Sequence, residues 1–142
     1  MINNNIDVFL PKIIRDEFLF SLDTYRIFLE GLSINPSRFF IEWSEINRQY
    51  ITDKYWKPNT KLDWKWSLSY PFFSILENYT LTNNNPIILG FSGLPGSGKS
   101  TLGFWIDSVA KELGIDIKVI SLDDFYLPSN EMDIAMKGNP WN

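Results

Sequence analysis

From the start of the chain to about Asn83, apolar residues recur at three- and four-residue steps, the period of an amphipathic helix. Ile14, Phe18, Leu22, Tyr25 and Leu29 form one stripe, which Gly31 is placed to end. Asn35 followed by Pro36 predicts the cap and first position of a second helix, with Phe39, Trp43, Ile46 and Tyr50 on its apolar face. Residues 57–63 (KPNTKLD) predict a loop. A third, shorter helix is expected to begin near Ser69 or Pro71 and to carry Phe72, Phe73, Ile75, Leu76 and Tyr79.

Past the Asn-rich stretch 81–86 (LTNNNP) the period changes. Ile87 to Phe91 is a continuous apolar run, the pattern of a strand buried on both faces. Ser100 to Leu113 returns to helical spacing, with Leu102, Ile106, Val109 and Leu113 on one face and Gly114 as its C-cap. Ile117 to Leu122 predicts a second strand, and residues 129–137 a short helix stopped by Gly138. The pattern therefore predicts two parts. Residues 1–83 form a helical, aromatic-rich region. Residues 84–142 form the start of an α/β domain, one β-α-β unit of a parallel sheet.

Composition narrows the chemistry. The chain has 142 residues, no Cys and no His. Disulfides, thiolate metal sites, Cys nucleophiles, imidazole ligands and Ser-His-Asp chemistry are thereby excluded, and the lack of Cys suits a reducing cytoplasm. A formal charge of −4 argues against a nucleic-acid partner. The N-terminus has neither a basic region nor a long apolar run, and no stretch approaches the ~20 apolar residues of a membrane span. Residues 54–66 interleave bases and aromatics, but the acidic surroundings favour a packing role for Tyr55, Trp56, Trp64 and Trp66, with the lysines in water.

The strongest motif is Gly93-Leu94-Pro95-Gly96-Ser97-Gly98-Lys99-Ser100, followed by Thr101, which matches the phosphate-binding pattern G-x-x-x-x-G-K-[ST] in full. Glycines let the backbone adopt conformations closed to other residues and approach phosphate oxygens. The loop N–H groups then converge as an anion nest at the positive end of the following helix. Lys99 supplies a point charge for the β- and γ-phosphates, and Ser100 offers a hydroxyl to Mg²⁺. The expected cofactors are ATP and Mg²⁺.

Asp123 and Asp124 end the second apolar run, at the edge where ligands sit in open α/β sheets. An Asp there can accept the proton of an attacking hydroxyl or hold Mg²⁺. GFSGLPGSGKSTL followed by SLDDFYLP resembles the P-loop kinase group that includes uridine kinase, phosphoribulokinase and pantothenate kinase. Within that group the chain is most similar to the D-glycerate 3-kinases and the related uncharacterised kinases, a likeness that extends more weakly to GNPW at 138–141. The resemblance implies that Asp123 is the general base for the acceptor hydroxyl and that Tyr126 helps shape the acceptor pocket. It assigns Asp124 nothing beyond extra negative charge near Mg²⁺.

One β-α-β unit does not make a stable doubly wound sheet. The resemblance places a further strand, a second acidic Mg²⁺ motif, a basic lid, an adenine pocket and a Thr-His-Asp step later in the chain. With no His present, that last step is absent, and the expectation is of a truncated kinase. The leading function is ATP- and Mg²⁺-dependent phosphoryl transfer to a small hydroxylated metabolite, glycerate first. The alternatives are a non-catalytic nucleotide-binding module and a uridine- or pantothenate-type kinase. A nucleotide-switch ATPase or GTPase fits less well, because LDDFY offers a base for an alcohol rather than a water-positioning Gln.

Overall fold

In a computed structural model, residues 21–126 and 128–137 are described. Ile14 and Phe18 of the first predicted stripe, and Gly138 with the rest of GNPW, lie outside them. The helices follow local signals closely. Helix α1 (Leu22–Gly31) starts where the Ser21 hydroxyl accepts the N–H of Thr24, and it buries Tyr25 and Leu29. Gly31 stays within the helix. The left-handed residue that ends it is Ser33, at φ 59°, while the N–H of Ile34 reaches back to the Leu29 carbonyl.

Helix α2 (Pro36–Glu42) begins as its sequence signals, with Asn35 Oδ1 accepting the Arg38 N–H at 3.0 Å and Pro36 in the first turn. It ends sooner than its stripe predicts. The Ser44 hydroxyl and N–H both turn onto the Ile41 carbonyl, and the chain breaks before α3 (Arg48–Thr52). Ile46 and Tyr50 consequently face water at 84% and 83% exposure, while Gln49 and Thr52 are buried. Arg48 recovers the connection between elements. Its guanidinium forks onto Glu77 at 2.7 and 2.8 Å and lies over the Trp43 ring.

After a 3₁₀ turn (Asp53–Tyr55), residues 56–61 form the expected loop, which ends earlier than predicted because Leu62–Trp64 is already helical. A π-helical stretch (Lys65–Ser69) leads into α4 (Tyr70–Thr82). Trp56 and Trp66 are buried and Tyr55 and Trp64 half-buried, while Lys54, Lys57 and Lys61 stay exposed. Lys65 is the exception among the lysines, drawn in towards Asp53 at 3.5 Å.

Helix α5 (Lys99–Leu113) closes at Gly114, whose φ of 66° is the left-handed cap its position foretells. Its buried face holds Leu102, Ile106 and Val109, together with Trp105 and Ala110. Trp105 joins α5 to the aromatic core. Its ring stacks on Trp56 at 4.6 Å between centroids and meets Trp43, Tyr70 and Phe73 at 5.8 to 5.9 Å. Trp43 in turn stacks on Tyr70 at 4.4 Å. The buried polar tips are partly tied: Tyr25 Oη donates to the Trp66 carbonyl, Tyr70 Oη to Asp53, and Trp43 Nε1 to Ser74. One core thus contains side chains from both sides of Asn83. Helix α6 (Ser129–Met136) follows the short helix predicted for 129–137.

The parallel sheet is not formed. Among the described residues there is no strand, and neither apolar run enters a backbone ladder. Ile87, Ile88, Leu89 and Phe91 are exposed, Ile88 at 96%, and so are Val119, Ile120 and Leu122. The reason is physical. A helix closes its hydrogen bonds within one segment, whereas a strand exists only when a neighbour supplies the opposite half of every bond. The two runs do not supply it to each other. Phe91 packs against Phe72 of α4, and Ile115 and Ile117 lean on the core, so the described fold is helical.

Candidate functional site: the glycine-rich loop

The 93–100 loop enters α5 with two residues in the left-handed region, Gly96 at φ 75° and Gly98 at φ 89°. Side chains with a Cβ rarely adopt that region, which is why glycine occupies both places. A turn from Ser97 N–H to the Leu94 carbonyl, 3.1 Å long, folds the loop over. Gly98 then caps α5, its carbonyl accepting the Leu102 N–H at 2.9 Å. Among the described residues, the N–H groups of Gly96, Gly98, Lys99, Ser100 and Thr101 donate to no backbone or side-chain acceptor. They are concentrated where the helix dipole is positive, an arrangement that suits an anion.

Lys99 turns back over this loop. Its Nζ donates to the carbonyls of Gly93 at 2.6 Å and Leu94 at 2.8 Å, so its charge is held at the start of the loop. A Cβ on Gly93 would meet Ser97 Oγ at 3.0 Å and the Lys99 stem at 3.5 Å, so the loop closes tightly around that glycine. Ser100, exposed in the first turn of α5, keeps its hydroxyl accessible, and Leu94 and Pro95 form the exposed outer curve. The donor set fits a phosphate chain, and a hydroxyl at Ser100 fits the oxygen preference of Mg²⁺.

Asp123, Asp124 and Tyr126 lie at a 3₁₀ turn (Leu122–Phe125). The two acids differ in what they do. Asp124 Oδ2 accepts the Ser121 N–H at 3.3 Å, and Ser121 Oγ accepts the Asp123 N–H at 3.2 Å, a reciprocal cap. Ser121 and Asp124, three residues apart, carried that signal in the sequence. Asp123 makes no side-chain hydrogen bond among the described residues, so its carboxylate stays open to solvent. Tyr126 is 66% exposed. The segment before them runs beside α5, where a Cβ on Gly103 would come within 3.1 Å of Val119 Cγ1.

The neighbour that sequence reasoning did not attach to the loop is Trp64. Its ring carbons Cη2 and Cζ2 lie 3.3 Å from where a Cβ on Gly98 would stand. The contact spans 34 positions of chain (98 − 64), and no local pattern announces it.

Two curated proteins are similar to part of the chain. Over 67 residues the chain is 42% identical to the "uncharacterized kinase mug58" of Schizosaccharomyces pombe, covering 47% of this chain and 24% of that protein. Over 57 residues it is 40% identical to the chloroplastic D-glycerate 3-kinase of Arabidopsis thaliana, covering 40% of this chain and 12% of that protein. These matches span less than a quarter of either relative. No family model and no solved structure matches the chain. Both relatives carry the name of a kinase. Among the described residues, no helix is long and apolar enough to cross a membrane.

Proposed function

We propose that residues 93–101 cradle the phosphates of ATP in a small-molecule kinase whose acceptor is glycerate or a similar alcohol. The observation that carries this reading is the set of free N–H groups around Gly96 and Gly98 at the start of α5, with Lys99 turned back onto the Gly93 and Leu94 carbonyls of the same loop. Kinase-named relatives support it, one of them a D-glycerate 3-kinase.

In this reading ATP with Mg²⁺ supplies the phosphoryl group and spreads its negative charge. Gly93, Leu94, Pro95, Gly96, Ser97 and Gly98 shape the cradle, and the N–H groups of Lys99, Ser100 and Thr101 face the bound oxygens. Lys99 exchanges its carbonyl partners for phosphate, and Ser100 offers Mg²⁺ its hydroxyl. Asp123 accepts the proton of the acceptor hydroxyl, a step that its uncommitted carboxylate leaves it free to take. Asp124 holds the turn that presents Asp123, and Tyr126 borders the acceptor.

The test is a coupled ATP assay on the protein with glycerate, uridine and pantothenate. In a protein that joins this segment to the lid and acceptor site the resemblance implies, glycerate-dependent turnover is expected, with Asp123→Asn lowering it by about 10²–10⁴ while ATP binding is retained. The 142 residues alone are expected to turn over weakly or not at all. ATP hydrolysis indifferent to every acceptor would sink the kinase reading. A nucleotide-binding module without turnover is the second reading, favoured by the exposure of Leu122, Phe125 and Tyr126 at 79%, 72% and 66%. It predicts ATP binding with no transfer to any acceptor.

A further inference from the structure

Gly98 is the joint between loop and helix. It holds a left-handed φ of 89°, and its carbonyl makes the first hydrogen bond of α5. The helix side of that joint is fixed by the core, through buried Leu102 and Trp105. Among the described residues, what a Cβ on Gly98 would meet is the edge of the Trp64 ring, 3.3 Å from the position that glycine leaves empty.

Trp64 is itself held from behind. Its carbonyl accepts the hydroxyl of fully buried Ser69 at 3.1 Å, across the π-helical turn of Lys65–Ser69. Tyr70 N–H bonds to the Lys65 carbonyl, five residues back, and Trp66 in the same turn is buried against Tyr25, Phe39 and Tyr70. π-helical insertions cluster at functional sites because the wider turn redirects side chains. Here the wide turn accompanies a division of labour, with Trp66 in the core and Trp64 at the loop.

We infer that Trp64 is a positioning residue for the glycine-rich loop: its ring edge restricts Gly98 and so pre-aims the N–H groups of Lys99 and Ser100. The inference rests on the reading of that loop as a phosphate cradle. An unsupported glycine samples many backbone states, and each must be given up when an anion binds. A rigid wall at the joint removes part of that cost before the ligand arrives. The aromatic N-terminal region thereby acquires a function at the loop, beyond filling the core.

The experiment is calorimetric titration of Mg²⁺·ATP into the wild-type protein and into Trp64→Phe, Trp64→Leu, Trp64→Ala and Val109→Ala. Val109 is fully buried in α5 away from the loop and serves as a purely structural perturbation. Trp64→Phe keeps a flat ring and is expected to bind within about twofold of wild type, whereas the Leu and Ala variants weaken by about tenfold. Val109→Ala lowers the unfolding temperature and leaves affinity unchanged. The nucleotide-induced change in indole emission, present in wild type, disappears in Trp64→Phe. If Trp64→Ala does not fold, Trp64→Leu carries the comparison. Wild-type affinity in the Leu variant, equal weakening in Val109→Ala, or an undiminished emission change in Trp64→Phe overturns the inference. Failure of the wild type to bind Mg²⁺·ATP instead removes the phosphate-cradle reading, and the inference with it.

Discussion

Gly98 and Gly96 share a left-handed backbone but not a neighbourhood. A Cβ on Gly96 meets nothing within 4 Å, whereas one on Gly98 meets the Trp64 ring at 3.3 Å. Gly96→Ala therefore pays only for its backbone, about 1 kcal/mol, and Gly98→Ala adds a steric cost on top. Chemical denaturation of the two variants checks this, and equal losses would contradict the Trp64 contact. The backbone requirement at both positions was legible in the motif, because left-handed turns call for glycine. The contact was not legible, since it joins residues far apart in the chain. The division between Asp123 and Asp124 was half legible. Ser121 and Asp124 spell a capping pair, yet only the turn itself shows Asp124 committed to the Ser121 N–H.

At the scale of elements, α5 carries the sharpest contrast between adjacent residues. Trp105 is fully buried and contacts four aromatic rings, while Phe104 is 64% exposed. Trp105→Ala is expected to cost about 3–5 kcal/mol and Phe104→Ala under about 0.5 kcal/mol, as read from urea midpoints. Arg48→Ala, which releases Glu77 and uncovers Trp43, should cost about 1–3 kcal/mol by the same measurement. Helices with intact local signals were legible, down to Asn35 at the cap of α2 and Gly114 at the end of α5. Trp105 escaped the predicted stripe although it stands three residues after Leu102 and four before Val109, the spacing of a shared face. The break after α2 depends on Ser44 competing for the Ile41 carbonyl, a choice that periodicity does not record. The strands failed for a deeper reason. Apolar runs state a wish for burial, but partners outside the run decide whether a ladder forms.

Across the whole molecule, the core is aromatic and its hydroxyls titrate with folding. Burial pushes Tyr25 and Tyr70 far above the ordinary tyrosine value of 10.0, with the Asp53 charge adding to the effect at Tyr70. Both folded values are raised, so this contribution to stability is complete below pH 10.0 and is lost as pH climbs beyond it, where the unfolded chain ionises first. Tyrosinate absorbance should show Tyr25 and Tyr70 appearing only together with loss of the folded circular-dichroism signal. Their titration before unfolding would contradict the packing described. At the acid end, hydrogen bonds from Tyr55 and then Lys54 lower Glu112, so its smaller contribution fades as pH falls below the ordinary 4.5. The same core buries one face of α5, and Trp64 stands against the glycine-rich loop at the start of that helix. The most direct measurement of the central claim is a calorimetric titration of Mg²⁺·ATP and of AMP into the wild-type protein and Lys99→Ala. Saturable binding of Mg²⁺·ATP, weakened at least about tenfold in Lys99→Ala and far weaker for AMP, is the predicted result. No binding, or binding equal for AMP and unaffected by Lys99→Ala, would contradict it.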